Sequence, residues 1–142
     1  MSLVGKKAPI DLSQFSGKKV VLYFYPKDMT SGCTLESKDF QSALTDFEEA
    51  NTVVIGISPD DEKSHAKFKD KEGLTFELLA DTEKELCQAF DVWKEKSMYG
   101  KKYMGVERST FLIGDNGNVL QEWRNVKVPG HVREVLAAAK LA

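Results

Sequence analysis

The sequence predicts an α/β fold, a three-layer sandwich around a central mixed sheet, with residues 1–142 as a single domain. Three observations carry this. Two β-branched and aromatic runs, Val20–Tyr25 and Thr52–Ile57, do not alternate apolar with polar, as strands covered on both faces of a parallel sheet read. Apolar stripes at helical spacing separate the strand-like runs. Near the end, Gly114-Asp115-Asn116-Gly117-Asn118 marks a hairpin turn and so an antiparallel pair. A chain of 142 residues suits one domain and is short for two of ordinary size.

The first strand, Val20–Tyr25, is stopped by Pro26. Phe40, Ala43, Leu44 and Phe47 recur at i, i+3, i+4 and i+7 and make the buried stripe of one helix before the second strand, Thr52–Ile57. Together these form a βαβ unit with a right-handed crossover. A second helix starts with Ser58 as N-cap and Pro59 at the first helical position, with Asp60, Asp61 and Glu62 at the positive end of its dipole. Gly73 closes it. Phe76–Leu79 is a short strand, and Thr82 with Glu85 makes a capping box for a third helix that buries Leu86 and Phe90. Lys94–Gly105, rich in Lys, Gly, Met and Tyr, reads as a long loop. Ser109–Ile113 and Val119–Arg124 flank the hairpin turn, and Val132, Val135, Leu136 and Ala139 line a last helix. The order β-α-β-α-β-α-β-β-α describes a thioredoxin-like sandwich.

Composition narrows the function. Lys and Arg total 20 against 22 Asp and Glu, a formal charge of -2, which argues against nucleic-acid binding by a basic face. Two cysteines rule out a disulfide-built scaffold and a Cys-only zinc site. No run is apolar and long enough to span a membrane, and no apolar stretch follows Lys6 and Lys7 as a signal peptide requires. The expected compartment is the reducing cytoplasm, where cysteines stay free. No Gly-rich phosphate loop follows a strand, so a nucleotide enzyme is unsupported.

Ligands of open α/β sheets bind beyond the carboxyl ends of the strands. The first such end is Pro26-Lys27-Asp28-Met29-Thr30-Ser31-Gly32-Cys33-Thr34. With Thr30 or Ser31 as N-cap, Cys33 falls in the first turn of the amphipathic helix. Backbone N–H groups there lack intrahelical partners, and with the helix dipole they stabilise a thiolate. An accessible thiolate is a nucleophile or redox centre. The alternative, an inert buried thiol, fits poorly beside Ser31, Gly32 and Thr34.

The spacing Pro26-x-x-x-Thr30-x-x-Cys33 resembles the active-site motif of peroxiredoxins. Tyr23–Asp28 with Gly32-Cys33-Thr34, Val92–Lys96 with Met98–Lys101, and Glu107–Ile113 are similar to the Q-type subfamily, the bacterioferritin comigratory proteins. The likeness runs along nearly the whole chain. It implies a thiol-dependent peroxidase of antioxidant defence, acting on hydrogen peroxide and organic hydroperoxides without metal or organic cofactor. Cys33 would be the peroxidatic cysteine, oxidised to a sulfenic acid. Thr30 would hydrogen-bond and orient the peroxide, and Pro26 would shield the sulfur from bulk water. Arg108 would bring a permanent cation to the thiolate and the leaving oxygen. Backbone N–H groups near Gly32 and Cys33 would bind the other oxygen. Apart from the resemblance, Arg108 reads as a surface ion pair, with Glu107 at hand. The subfamily suggests a monomer or weak dimer.

Three features depart from the family pattern. Ser31 stands where Pro is common. Lys38 occupies the position, five after the peroxidatic cysteine, where many Q-type members carry a resolving thiol. Ala8-Pro9-Ile10 runs almost directly into Asp11-Leu12-Ser13, where a longer stretch, often a β-hairpin, is usual. Cys87, beside Leu86 and Phe90, then has two readings. It is a long-range resolving cysteine, which needs Cα atoms within about 7 Å of one another, or a buried core thiol. The core reading is preferred and leaves reduction of the sulfenic acid to thioredoxin or another external thiol.

Other residues are set aside. His65, on the charged second helix, and His131, at the start of the last, read as surface or capping histidines without metal partners. Lys94, Lys96, Lys101 and Lys102 read as solvated surface, at most guiding an acidic reductase. Two rivals remain. One is a thiol–disulfide oxidoreductase on the same fold, although Thr30 stands where a Cys-x-x-Cys motif needs its first thiol. The other is a holdase or redox-sensing binding module, which would act without Cys33.

Overall fold

The computed structural model describes residues 2–142. Its centre is a five-stranded mixed sheet in the order β3-β2-β1-β6-β7. Strands β1 (Lys19–Phe24), β2 (Thr52–Ser58) and β3 (Glu77–Ala80) run parallel to one another. Strands β6 (Ser109–Ile113) and β7 (Val119–Trp123) are antiparallel, and β6 pairs antiparallel with β1. The fold class is therefore the one the sequence predicts.

Alternation along β1 divides the core. Val21 and Tyr23 point to one face, with Phe40, Phe47 and Phe68 from helices α1 (Ser31–Ser42), α2 (Leu44–Glu49) and α3 (Glu62–Glu72). Val132, Val135 and Ala139 of α5 (His131–Leu141) join them. Val20, Leu22 and Phe24 point to the other face, with Cys87 of the short helix α4 (Glu85–Ala89), Phe90 and Val92. Each fully buried Phe, Leu or Ile contributes about 1.5–3 kcal/mol, so both faces are stabilised by hydrophobic burial rather than by surface charge.

Several local expectations differ from the structure. The predicted first helix is two, divided at Ala43 (φ -95, ψ 2), yet Phe40 and Phe47 still share the core face. Ser58 does not cap α3. Pro59 keeps the residue before it extended, so Ser58 ends β2, and Asp61 caps the helix by accepting from Ser64 N at 2.8 Å. Gly73 closes α3 in the left-handed region, as predicted. The Thr82–Glu85 capping box does not form. The turn from Asp81 folds back through a left-handed Lys84, and the Asp81 carboxylate receives the N–H groups of Leu86 and Cys87 instead.

The segment read as a long loop is a second sheet, β4 (Trp93–Met98) paired antiparallel with β5 (Lys101–Val106). Tyr99 (φ 52) and Gly100 (φ 79) form the two-residue turn that right-twisted strands require. Its strands are mostly exposed and lysine-rich, so neither gives an apolar signal.

One glycine positions the site. A Cβ on Gly56 of β2 would lie 2.7 Å from Tyr23 Cζ, so only glycine lets the Tyr23 ring lie over β2 there. Tyr23 stacks on Phe40 with centroids 4.5 Å apart, and its hydroxyl lies 2.8 Å from Ser37 Oγ. Both contacts hold α1 against β1.

Candidate active site

The chain leaves β1 at Phe24, passes Pro26 and enters α1 with Thr30 as N-cap (φ -88, ψ 155). Cys33 is thus the third helical residue, among the unpaired N–H groups of the first turn. Its side chain is only 1% exposed. The thiol lies just under the surface, beneath a half-buried Gly32 and an exposed Thr30. Thr30 Oγ1 donates to Lys27 O at 2.8 Å, which fixes the hydroxyl and leaves its lone pairs free to accept.

Arg108 reaches this turn because of strand register. Phe24, the last residue of β1, pairs with Ser109, the first of β6, so Arg108 lies beside the start of the loop. Its Nη2 is 3.2 Å from Cys33 Sγ, and its Nη1 donates to Glu36 Oε1 at 2.5 Å. Cys33 and Glu36 are three apart and share a helix face, so one guanidinium spans both. A Cβ on Gly32 would lie 3.4 Å from Arg108 Nη2, so glycine leaves room for the planar group. The partner of Arg108 is Glu36, not the Glu107 suggested by sequence proximity.

Glu36 is fully buried, and its second oxygen, Oε2, has no hydrogen-bond partner among the described residues. Burial pushes its carboxyl up to about 7 against the opposing pull of Arg108. His131 is also buried, with Nε2 2.8 Å from Thr110 Oγ1. Burial, reinforced by Arg108, holds it down to about 4, so it is neutral at pH 7; the guanidinium is the cation that bonds the sulfur, and half-buried Lys96 of β4 lies near enough for its charge to act on both. Tyr23 stays a neutral phenol because burial raises it.

The structure thus brings Cys33, Gly32 and Arg108 into contact, with Thr30 and Pro26 on the loop that leads to them. Cys87 does not join them. It is fully buried in the core on the opposite face of the sheet, and both thiols are free. Burial, with the Asp81 carboxylate beside it, pushes the Cys87 thiol far above the ordinary range and makes it a poor nucleophile.

Both histidine expectations are corrected. His65 is 3% exposed and bonds Asp28 in the Pro26–Thr30 loop, while His131 is 4% exposed and bonds the sheet. Lysine-rich surroundings mask the buried face of α3, so only the fold reveals His65. Glu36 was also missed, although its spacing from Cys33 was a legible signal. Asp28, Asp60 and His65 lie close enough to suggest a metal site, but protein hydrogen bonds engage their facing atoms.

The AhpC/TSA family model matches residues 3–122. Peroxiredoxin Bcp of Bacillus subtilis is 51% identical over 148 residues, covering 96% of this chain and 94% of the relative. A structure of Xanthomonas campestris peroxiredoxin Q superposes with a TM-score of 0.88 at 50% identity, covering 93% of this chain and 84% of the other. Another, of the bacterioferritin comigratory protein of the same organism, described for its alkyl peroxide reduction activity, has a TM-score of 0.88 at 49% identity with the same coverage. Among the described residues, no helix is long and apolar enough to cross a membrane.

Proposed function

The chain belongs to the AhpC/TSA family, with peroxiredoxins of the Bcp and Q kind as relatives, and from that premise we propose how it works as a thiol peroxidase, with Cys33 as the nucleophile. The Cys33 thiolate attacks one oxygen of the hydroperoxide in line. An S–O bond forms, the O–O bond breaks, and the leaving oxygen takes up a proton. The balance is Cys–S⁻ + ROOH + H⁺ → Cys–SOH + ROH, with water released when R is hydrogen.

The supporting observation is the guanidinium 3.2 Å from the sulfur at a helix start. Arg108 is always charged, so it stabilises negative charge as it moves from sulfur to the leaving oxygen. First-turn N–H groups at Gly32 and Cys33 bind the same developing charge. Thr30 Oγ1, already donating to Lys27 O, accepts the peroxide hydrogen and fixes its direction. Pro26 walls the loop against water.

The sulfenic acid returns to thiol at the expense of two external thiols: Cys–SOH + 2 R′SH → Cys–SH + R′SSR′ + H₂O. We assign this to thioredoxin or a small thiol, because Cys87 is buried across the sheet. Such reductants belong to the cytoplasm, which we take as the working compartment, with residues 1–142 acting as one domain and as a monomer or weak dimer. Intact-mass analysis after one equivalent of peroxide tests the scheme. Gain of one oxygen at Cys33 is expected. Loss of two hydrogens, with Cys33 and Cys87 peptides joined, would defeat the external-thiol route.

A further inference from the structure

A second cluster of polar side chains lies behind the Pro26–Thr30 loop. Asp28, at the middle of that loop, is 5% exposed. Its Oδ1 accepts from Tyr25 Oη at 2.6 Å, and its Oδ2 accepts from Ser64 Oγ at 2.8 Å and faces His65 Nδ1 at 2.7 Å. Its backbone N–H donates to Asp60 Oδ2 at 2.8 Å, which also accepts from Ser58 Oγ at 2.6 Å. On its far side, His65 Nε2 lies 3.0 Å from Leu79 O of β3.

The hydrogen-bond partners point to one proton count. A backbone carbonyl only accepts, so His65 Nε2 carries a hydrogen. Asp28 accepts from Tyr25 and Ser64 and is held as a carboxylate, so the hydrogen it shares with Nδ1 is assigned to the ring. A ring with two N–H groups is an imidazolium. The acidic groups facing it are Asp28 from the loop and Asp60 from the β2–α3 connection, with neutral Tyr25 from the end of β1. Electrostatics agrees. Burial alone would lower His65, but Asp28 and the Leu79 carbonyl outweigh it and raise the group above 6.5. Burial alone would raise Asp28, but bonds from His65, Tyr25 and Ser64 hold it below 3.8.

The cluster bears on the chemistry through the loop. Pro26–Met29 lies outside the described strands and helices, Thr30 O accepts from Thr34 N of α1 at 2.9 Å, and Met29 is left-handed (φ 65). Such segments open most readily unless side chains tie them down. Asp28 is that tie, joining the loop to β1, α3 and, through His65, β3. The same loop must also release, because a Cys33 that is 1% exposed cannot meet a reductant thiol without local opening.

We propose that Asp28 and His65 are positioning residues of the peroxidase reaction: the buried pair pins the Pro26–Thr30 loop so that Thr30 and the first turn of α1 present peroxide to Cys33, and it slackens when His65 loses its proton. The proposal rests on the reading of Cys33 as nucleophile.

The test joins kinetics with ¹⁵N NMR of the histidine rings. In the unaltered protein, His65 should show two ring N–H groups at pH 7; a single N–H overturns the proposal, and this readout needs neither a variant nor activity. In Asp28→Asn and His65→Gln, kcat/KM for hydrogen peroxide should fall about tenfold or more. Alkylation of Cys33 by iodoacetamide, which needs the sulfur but not the pinned loop, should hold or quicken. The unaltered protein should show an alkaline fall in peroxide rate, and that fall should be missing from His65→Gln. Peroxide rates within about twofold of the unaltered protein, or peroxide and alkylation rates falling together, would overturn the assignment. Should a variant fail to fold, the ring-proton count alone decides. Absence of peroxide turnover in the unaltered protein would instead sink the peroxidase reading, whatever the ring-proton count.

Discussion

Arg108 Nη2 sits 3.2 Å from Cys33 Sγ although 75 residues separate the two in the chain. The antiparallel pairing of Phe24 with Ser109 closes that gap by setting Arg108 beside the loop that Cys33 follows. The guanidinium is held from the other side by Glu36, so its position is set by the fold and not by substrate. A charge placed in advance costs no reorganisation when the reaction occurs.

Cys33→Ser should abolish peroxide consumption and keep the fold, since serine is nearly isosteric at a helix start. Peroxide loss in a ferrous-iron colour assay, beside far-UV circular dichroism, checks this. Turnover in the folded variant would remove Cys33 from the chemistry and restore the binding-module reading.

Arg108→Ala should lower kcat/KM for peroxide on the order of 100-fold, the cost of removing one preorganised donor. The variant also strands Glu36, whose carboxyl burial already pushes up to about 7. Without the cation it takes a proton at neutral pH, which limits the loss of stability. Arg108→Lys should recover only part of the rate, because one ammonium cannot span Sγ and Oε1 as the fork does.

Glu36 gives a pH signature. With its carboxyl at about 7, the group beside Arg108 is neutral in mild acid and anionic above neutrality. Its folded value is raised, so its contribution to stability is complete below 4.5 and is lost as pH rises through about 7. Glu36→Gln keeps an acceptor for Arg108 and removes the titration. The unaltered protein should show a step near 7 in its pH–rate profile that Glu36→Gln lacks, and the variant's unfolding free energy should vary less between pH 5 and 8. A step that persists unchanged would assign it to another group.

Thr30→Ser should retain most activity and Thr30→Val should lose about 10- to 100-fold, because only the hydroxyl orients peroxide. Steady-state kinetics of the pair separates this role from packing: Thr30 is exposed, so thermal stability should barely change.

Cys87→Ala should leave the first peroxide turnover unchanged and cost about 1 kcal/mol of stability, the effect of a small cavity in a packed face. Single-turnover kinetics and denaturant unfolding report the two effects separately. A slowed recycling step with thioredoxin present would reinstate Cys87 as a resolving thiol.

The elements of the central sheet were legible because strands covered on both faces must be uninterruptedly apolar. Val20–Tyr25, Val53–Ile57 and Phe111–Ile113 meet that demand in a short run each. The candidate nucleophile was legible for the same local reason: Thr30 as N-cap puts Cys33 in the first turn whatever lies elsewhere. Glu36 follows from helix spacing once the chemistry is suspected. The β4–β5 hairpin was not legible, because a mostly exposed two-stranded ribbon needs no apolar pattern and its turn is Tyr99-Gly100 rather than Asn-Gly.

Sequence alone therefore determined the fold class, the family likeness and the candidate nucleophile, since each is a property of contiguous residues obeying helix and strand periodicity. Tertiary structure decided what surrounds that residue. The β1–β6 register chose Glu36 over Glu107 as the partner of Arg108. The sheet put Cys87 on the face away from Cys33. The packing of α3 turned His65 from an apparent surface residue into a buried partner of Asp28. Charge and burial act through space, and spacing along a chain does not report them until the chain is folded.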